Sequence, residues 1–135
     1  MSKPSQTVHR SKCPLASSLD LFGDKWTLLV VRDLMYFGEC SFKDLQNSAE
    51  NIPTNTLSER LKRLENLEVI SKTPYQTRPV RYQYTLTKKG LGLLPALKAI
   101  TLWGQENIDS TIEIVSNING VETLTRPVSV DVSLL

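Results

Sequence analysis

The stretch FKDLQNSAENIPTNTLSERLKRLENL, residues 42–67, decides the fold. Ser41 precedes it and Asp44 follows three positions on, a capping-box pattern that predicts a short helix from Phe42 to about Ser48. Residues 49–53 read as a turn. Thr54 then stands where an N-cap belongs, ahead of a helix reaching about Leu67 with Leu57, Leu61 and Leu64 on one side. A short helix, a tight turn and a second helix make a helix-turn-helix unit. In that motif the second helix enters the DNA major groove, its first residues nearest the base edges.

The flanks extend the pattern. Upstream, Pro14 suits the first position of a helix over residues 15–22, with Leu15, Leu19 and Phe22 at helical spacing. Gly23 ends it, and Asp24 caps a helix from Lys25 to about Phe37. That helix, WTLLVVRDLMYF, is apolar around much of its circumference and belongs in the core. Residues 39–41 form a link with room for a brief strand. Downstream the period changes to two. Residues 69–73 and the alternation Val80-x-Tyr82-x-Tyr84-x-Leu86 predict a hairpin, a wing, around the basic turn Gln76-Thr77-Arg78-Pro79. Thr87 caps a long helix to about Asp109, which Pro95 is expected to bend rather than end. Residues 110–135 are strand-prone, with Asn119-Gly120 as a hairpin turn, and residues 1–12 read as a flexible polar tail. The expectation is one α+β, mostly helical domain over residues 13–109: a winged helix-turn-helix with a two- to three-stranded wing sheet and a long C-terminal dimerisation helix.

Charge agrees with a polyanion partner. The 135 residues carry a net charge of only +2, but residues 54–89 hold eight basic against three acidic residues, whereas residues 90–135 hold two against five. On the helix over residues 54–67, Asn55, Glu59, Lys62 and Asn66 point away from the leucine stripe, with Thr56 and Ser58 on its flanks and Arg63 near Thr56. Asn55 and Ser58 can hydrogen-bond base edges, while Arg60, Lys62 and Arg63 can neutralise phosphates or read guanine. The candidate DNA-binding set is Thr54, Asn55, Thr56, Ser58, Glu59, Arg60, Lys62 and Arg63, with Gln76, Thr77, Arg78 and Arg81 on the wing. The expected partner is double-stranded operator DNA.

Other classes fit less well. The single histidine, His9, lies in the polar tail, so neither a histidine acid/base dyad nor a zinc site is supported, and no Gly-rich phosphate loop or Gly-x-Ser-x-Gly elbow occurs. An enzyme, a metal and a cofactor are not expected. No apolar run approaches the length of a membrane span or a signal peptide, so a cytoplasmic protein is expected, with Cys13 and Cys40 as thiols. The competing non-enzymatic reading is a winged helix whose basic face docks an acidic protein.

These residues also resemble a known family. Cys13-Pro14, Leu19-x-x-Phe22-Gly23-x-Lys25-Trp26-Thr27-Leu28-Leu29 and Arg32-Asp33-Leu34 look like the opening of the HxlR family of bacterial winged-helix regulators. Phe42-x-x-Leu45, Thr56-Leu57-Ser58-x-Arg60-Leu61-x-x-Leu64, Pro79-Val80-x-Tyr82-x-Tyr84-x-Leu86-Thr87-x-x-Gly90, Leu94-Pro95-x-Leu97 and Trp103-Gly104 continue the likeness over residues 13–104. The resemblance implies a dimeric transcriptional repressor or activator, joined through its N-terminal and C-terminal helices. Leu15, Leu19, Leu94, Leu97, Ile100 and Trp103 are the candidate interface, and two copies would sit on an inverted-repeat operator. The apolar surplus of the helix after Gly90 supports a partner subunit independently, unless the C-terminal extension folds over it. Cys13, after Arg10 and Lys12 and at a helix start, is the candidate redox-sensing thiol. The other possibility for Cys13 is a small side chain packed at the interface. Cys40 reads as a packed apolar residue. The effector is either an oxidant acting on Cys13 or a small apolar molecule between subunits. A MarR-like regulator with a ligand pocket is the nearest alternative.

Overall fold

A computed structural model describes residues 10–108, together with the backbone of Ser116–Ile118 and Val121–Thr123. The predicted loose tail of residues 1–9, the Asn119-Gly120 turn and the rest of residues 109–135 lie outside the described residues. The two strands 116–118 and 121–123 pair antiparallel, with Ile118 opposite Val121.

The chain begins with α1 (Pro14–Phe22), its proline at the start, and continues with α2 (Thr27–Phe37). Asp24 caps α2 as expected, but from outside a helix that begins two residues later than the sequence suggested. Its carboxylate accepts from the backbone N–H groups of Trp26 and Thr27, both at 3.0 Å, and from the Thr27 hydroxyl. A two-residue strand β1 (Cys40–Ser41) leads into α3 (Phe42–Gln46), where Ser41 and Asp44 form the predicted capping box. The second helix of the motif, α4 (Thr54–Asn66), comes next. Its N-cap is Pro53, not Thr54. The Pro53 carbonyl takes the first helical hydrogen bond, from Leu57 N–H, and the Thr54 hydroxyl is occupied by Gln46 Nε2 at 3.1 Å.

The wing is β2 (Ile70–Thr77) and β3 (Val80–Leu86), joined by the two-residue turn Arg78-Pro79 with a cis peptide. The brief link strand joins the sheet, giving the order β1-β3-β2, all antiparallel, with Cys40 opposite Tyr84 and Ile70 opposite Leu86. Thr87 caps the helical turn after the wing, its hydroxyl accepting from Gly90 N–H. The long bent helix does not form. Instead α5 (Lys88–Leu91) stops at Gly92, and α6 (Leu94–Asn107) starts afresh with Pro95 in its first turn. In a continuous helix the Pro95 ring would strike the Leu91 carbonyl, whereas in a first turn its missing N–H costs nothing. Gly90 is required where it stands, because a Cβ there would sit 2.2 Å from the Val69 carbonyl oxygen.

The core joins α2 to the helix-turn-helix and the root of the wing: Val30, Val31, Leu34, Met35, Cys40, Leu45, Ile52, Leu57, Leu61, Leu64, Val69 and Ile70. One charged group interrupts it. Arg32 donates to Asp33 Oδ1, to both oxygens of Glu50 and to Ser48 Oγ, fastening the turn between α3 and α4 onto α2. Asp33 is only 7% exposed, and its burial pushes its carboxyl up while Arg32 pulls it back. Burial also disfavours the Glu50 charge, but the bonds from Arg32 outweigh it and hold that carboxyl below its usual value. Removing one member of such a cluster strands the others. Arg32→Ala is therefore expected to lower the unfolding free energy by about 3 kcal/mol, read by urea denaturation at pH 7, whereas Arg32→Lys should recover part of the loss.

Candidate nucleic-acid interface

Helix α4 presents two polar faces of different character. Leu57, Leu61 and Leu64 are buried. Opposite them Asn55, Ser58, Glu59, Lys62 and Asn66 are exposed, and Asn55, Ser58 and Lys62 make no side-chain hydrogen bond or ion pair to any described residue. Thr54 is exposed and Thr56 half-buried. On the wing, Thr77, Arg78 and Arg81 are exposed, and neither arginine is ion-paired among the described residues. Gln76 is half-buried, its Nε2 donating to the Pro79 carbonyl at 3.0 Å, so it braces the turn from within.

Arg60 and Arg63 stand apart from this outward set. Arg60 Nε lies 2.9 Å from Asp24 Oδ2, a second donor reaches Glu59, and its side chain is only 18% exposed. Arg63 donates to the Leu21 carbonyl at 3.2 Å, to Glu59 Oε2 at 3.4 Å, and stands 3.8 Å from Asp24. Both guanidiniums thus tie α4 to the end of α1 and the start of α2. Partial burial opposes the Asp24 charge, but hydrogen bonds from the Thr27 hydroxyl, Arg60 and the Trp26 and Thr27 backbone outweigh it and hold the carboxyl well below the usual carboxylate range. Sequence reasoning finds Asp24 only as a cap. The signal for more is its place one residue beyond the glycine that ends α1.

The candidate dimer residues divide likewise. Leu15, Leu19, Ile100 and Trp103 are exposed, the last two at 59% and 61%, whereas Leu94 and Leu97 are half-buried and pack against the core. Cys13 is exposed immediately before α1, with its N–H on Ser11 Oγ. Nearby Arg10 is bound to Asp20 at 2.7 Å and to the Ala16 carbonyl. Cys40 is buried in strand β1, and burial together with Asp44 and Asp33 pushes its thiol up to about 12. Among the described residues no cluster of potential metal ligands occurs, and no helix is long and apolar enough to cross a membrane.

A helix-turn-helix followed by a wing, with a polar row on the second helix and wing arginines that are unpaired among the described residues, is the winged-helix architecture found in DNA-binding regulators. The HxlR-like helix-turn-helix family model matches residues 21–112, and the chain belongs to that family. The HTH-type transcriptional regulator MT3179 of Mycobacterium tuberculosis is 38% identical over 89 residues, 66% of this chain and 55% of that protein. The chain thus spans about half the length of that relative. YvaP of Bacillus subtilis is 36% identical over 98 residues, 72% of this chain and 90% of its own. The structure of the transcriptional regulator YodB from B. subtilis in reduced form superposes with a TM-score of 0.61 at 30% identity, covering 75% of this chain and 99% of that one.

The Asp24 clamp has a pH signature. A carboxyl held low in the folded state contributes stability above its unfolded value, and that contribution is lost as pH falls through the folded value. Asp24→Asn should cost about 2 kcal/mol at pH 7. The gap between variant and parent should close only as pH drops below the ordinary value of 3.8, read as unfolding free energies across an acid series.

Proposed function

We propose that two copies of this chain pair through α1 and α6 and set their α4 helices into successive major grooves of an inverted-repeat operator, about one helical turn (~34 Å) apart. The observation that carries this reading is the free row on α4: Asn55, Ser58 and Lys62 all lack partners among the described residues. Base edges fall to Asn55, Ser58 and Thr56, at the N-terminal end of the helix. Phosphates fall to Lys62 and Arg81, with Thr54 and Thr77 as further backbone contacts, and Arg78 at the wing tip reaches into the adjacent minor groove. Gln76, Glu59, Arg60 and Arg63 take supporting roles, because each is bound inside the protomer.

Pairing is supported by the apolar surface left open on α1 and α6, where Leu15, Leu19, Ile100 and Trp103 have no cover among the described residues. Cys13 is the redox-responsive group in this reading. It is exposed at the end of the helix that carries the pairing surface, and a diamide-treated form of YodB, 31% identical with a TM-score of 0.57, is among the similar structures. The protein acts in the cytoplasm as a binding protein, without catalytic chemistry of its own.

Two outcomes test the DNA assignment. Asn55→Ala combined with Ser58→Ala should abolish the preference for operator over random duplex in fluorescence anisotropy while leaving weak non-specific binding. A protein-docking module would tolerate both changes. Lys62→Ala and Arg81→Ala should weaken binding to every sequence alike, each lowering the slope of log affinity against log salt by about 1. Cys13→Ser should bind the operator as the parent does in reducing buffer and keep that affinity after diamide. Loss of binding in the variant on diamide treatment would assign the response elsewhere.

A further inference from the structure

We infer that the half-site read by α4 is A·T-rich, with Asn55 holding an adenine and no arginine of that helix reading a guanine. The inference rests on the DNA-binding reading and deepens it to the class of sequence recognised. The commonest protein contact to guanine is an arginine fork on O6 and N7. Helix α4 has two arginines, and both are bound within the protomer. Arg60 is held between Asp24 and Glu59, and Arg63 between the Leu21 carbonyl, Glu59 and Asp24. Turning either into the groove would leave the part-buried Asp24 carboxylate short of a cationic partner.

Lys62 is the remaining cation on the outward row. It lies seven residues beyond Asn55, about 10 Å further along the axis, away from the N-terminal end that approaches base edges. The groups left at that end are the amide of Asn55 and the hydroxyls of Ser58 and Thr56. An amide is the complement of adenine, donating to N7 and accepting from the N6 amino group. Glu59 is the side chain that would accept from cytosine N4, but its two carboxylate oxygens already receive Arg60 and Arg63.

The wing points the same way. Arg78 occupies the tip of the β2–β3 turn, exposed and without an ion pair among the described residues. An arginine at a wing tip is drawn most strongly to the narrow minor groove of A·T tracts, where the negative potential is deepest. The major-groove helix and the minor-groove tip therefore favour the same base composition by separate mechanisms.

Selection from a randomised duplex library with the full chain, followed by atom-level replacement in the enriched site, tests this. The expected result is an inverted repeat with A·T pairs in each half-site. Replacing the contacted adenine by 7-deazaadenine should weaken parent binding by roughly 5- to 100-fold and leave Asn55→Ala unchanged. A G·C-centred half-site, or one weakened by 7-deazaguanine and indifferent to 7-deazaadenine, would overturn the inference while leaving the DNA-binding reading intact. Enrichment of no motif would remove the functional reading and this inference with it.

Discussion

The Asp24 carboxylate is the group on which the remaining arrangement depends. It accepts from the first turn of α2 through Trp26 and Thr27 and from α4 through Arg60, while Arg63 closes the same joint on the Leu21 carbonyl. Apolar contact alone would hold Leu57, Leu61 and Leu64 in the shared core but leave α4 free to roll about that stripe. Charge-assisted bonds have direction, and a pair of arginines one turn apart fixes the roll. Only with the roll fixed does the row Asn55, Ser58 and Lys62 face outward as a unit. The Arg32 cluster does for the inter-helix turn what Asp24 does for the helix.

Much of this is legible in the sequence because the decisive elements are short-range. The Ser41/Asp44 capping box, the leucine spacing of α4 and the period-two run of β3 each lie within one element, and each appears where local chemistry places it. The long helix fails for an equally local reason that a strong apolar pattern obscures. Gly92 and Pro95 stand three apart, and together they end one helix and open the next. Threonine caps well, which makes Thr54 the expected cap, yet a proline ahead of it in an extended conformation supplies the carbonyl, and Gln46 claims the hydroxyl.

The roles of Arg60 and Arg63 are harder to read, and the difficulty is one of distance. At ~100° per residue, Arg60 lies only about 60° from the centre of the leucine stripe, close enough to the core that a solvent-facing role is not its most natural one. What the pattern does not supply is the partner, because Asp24 stands 36 residues away and is brought in only by the packing of α1 and α2. Basic residues on a recognition helix invite assignment to phosphate. Whether they reach it depends on acidic neighbours that periodicity does not reveal.

The same joint links α4 to α1, the two helices that the proposed function uses for reading and for pairing. Helix α1 carries Cys13 at its start and exposed leucines along its length, and its final turn supplies the carbonyl that Arg63 holds. Helix α4 therefore cannot tilt without pulling on the end of α1, and in the proposed dimer a change in how α1 packs would act on α4 through one carbonyl and one carboxylate. A flexible linker between pairing and reading surfaces would dissipate such a change, whereas Gly23-Asp24 is short, capped and ion-paired. In the proposed function rigidity would serve recognition and communication together, since the contacts that fix the orientation of α4 are those that tie it to α1.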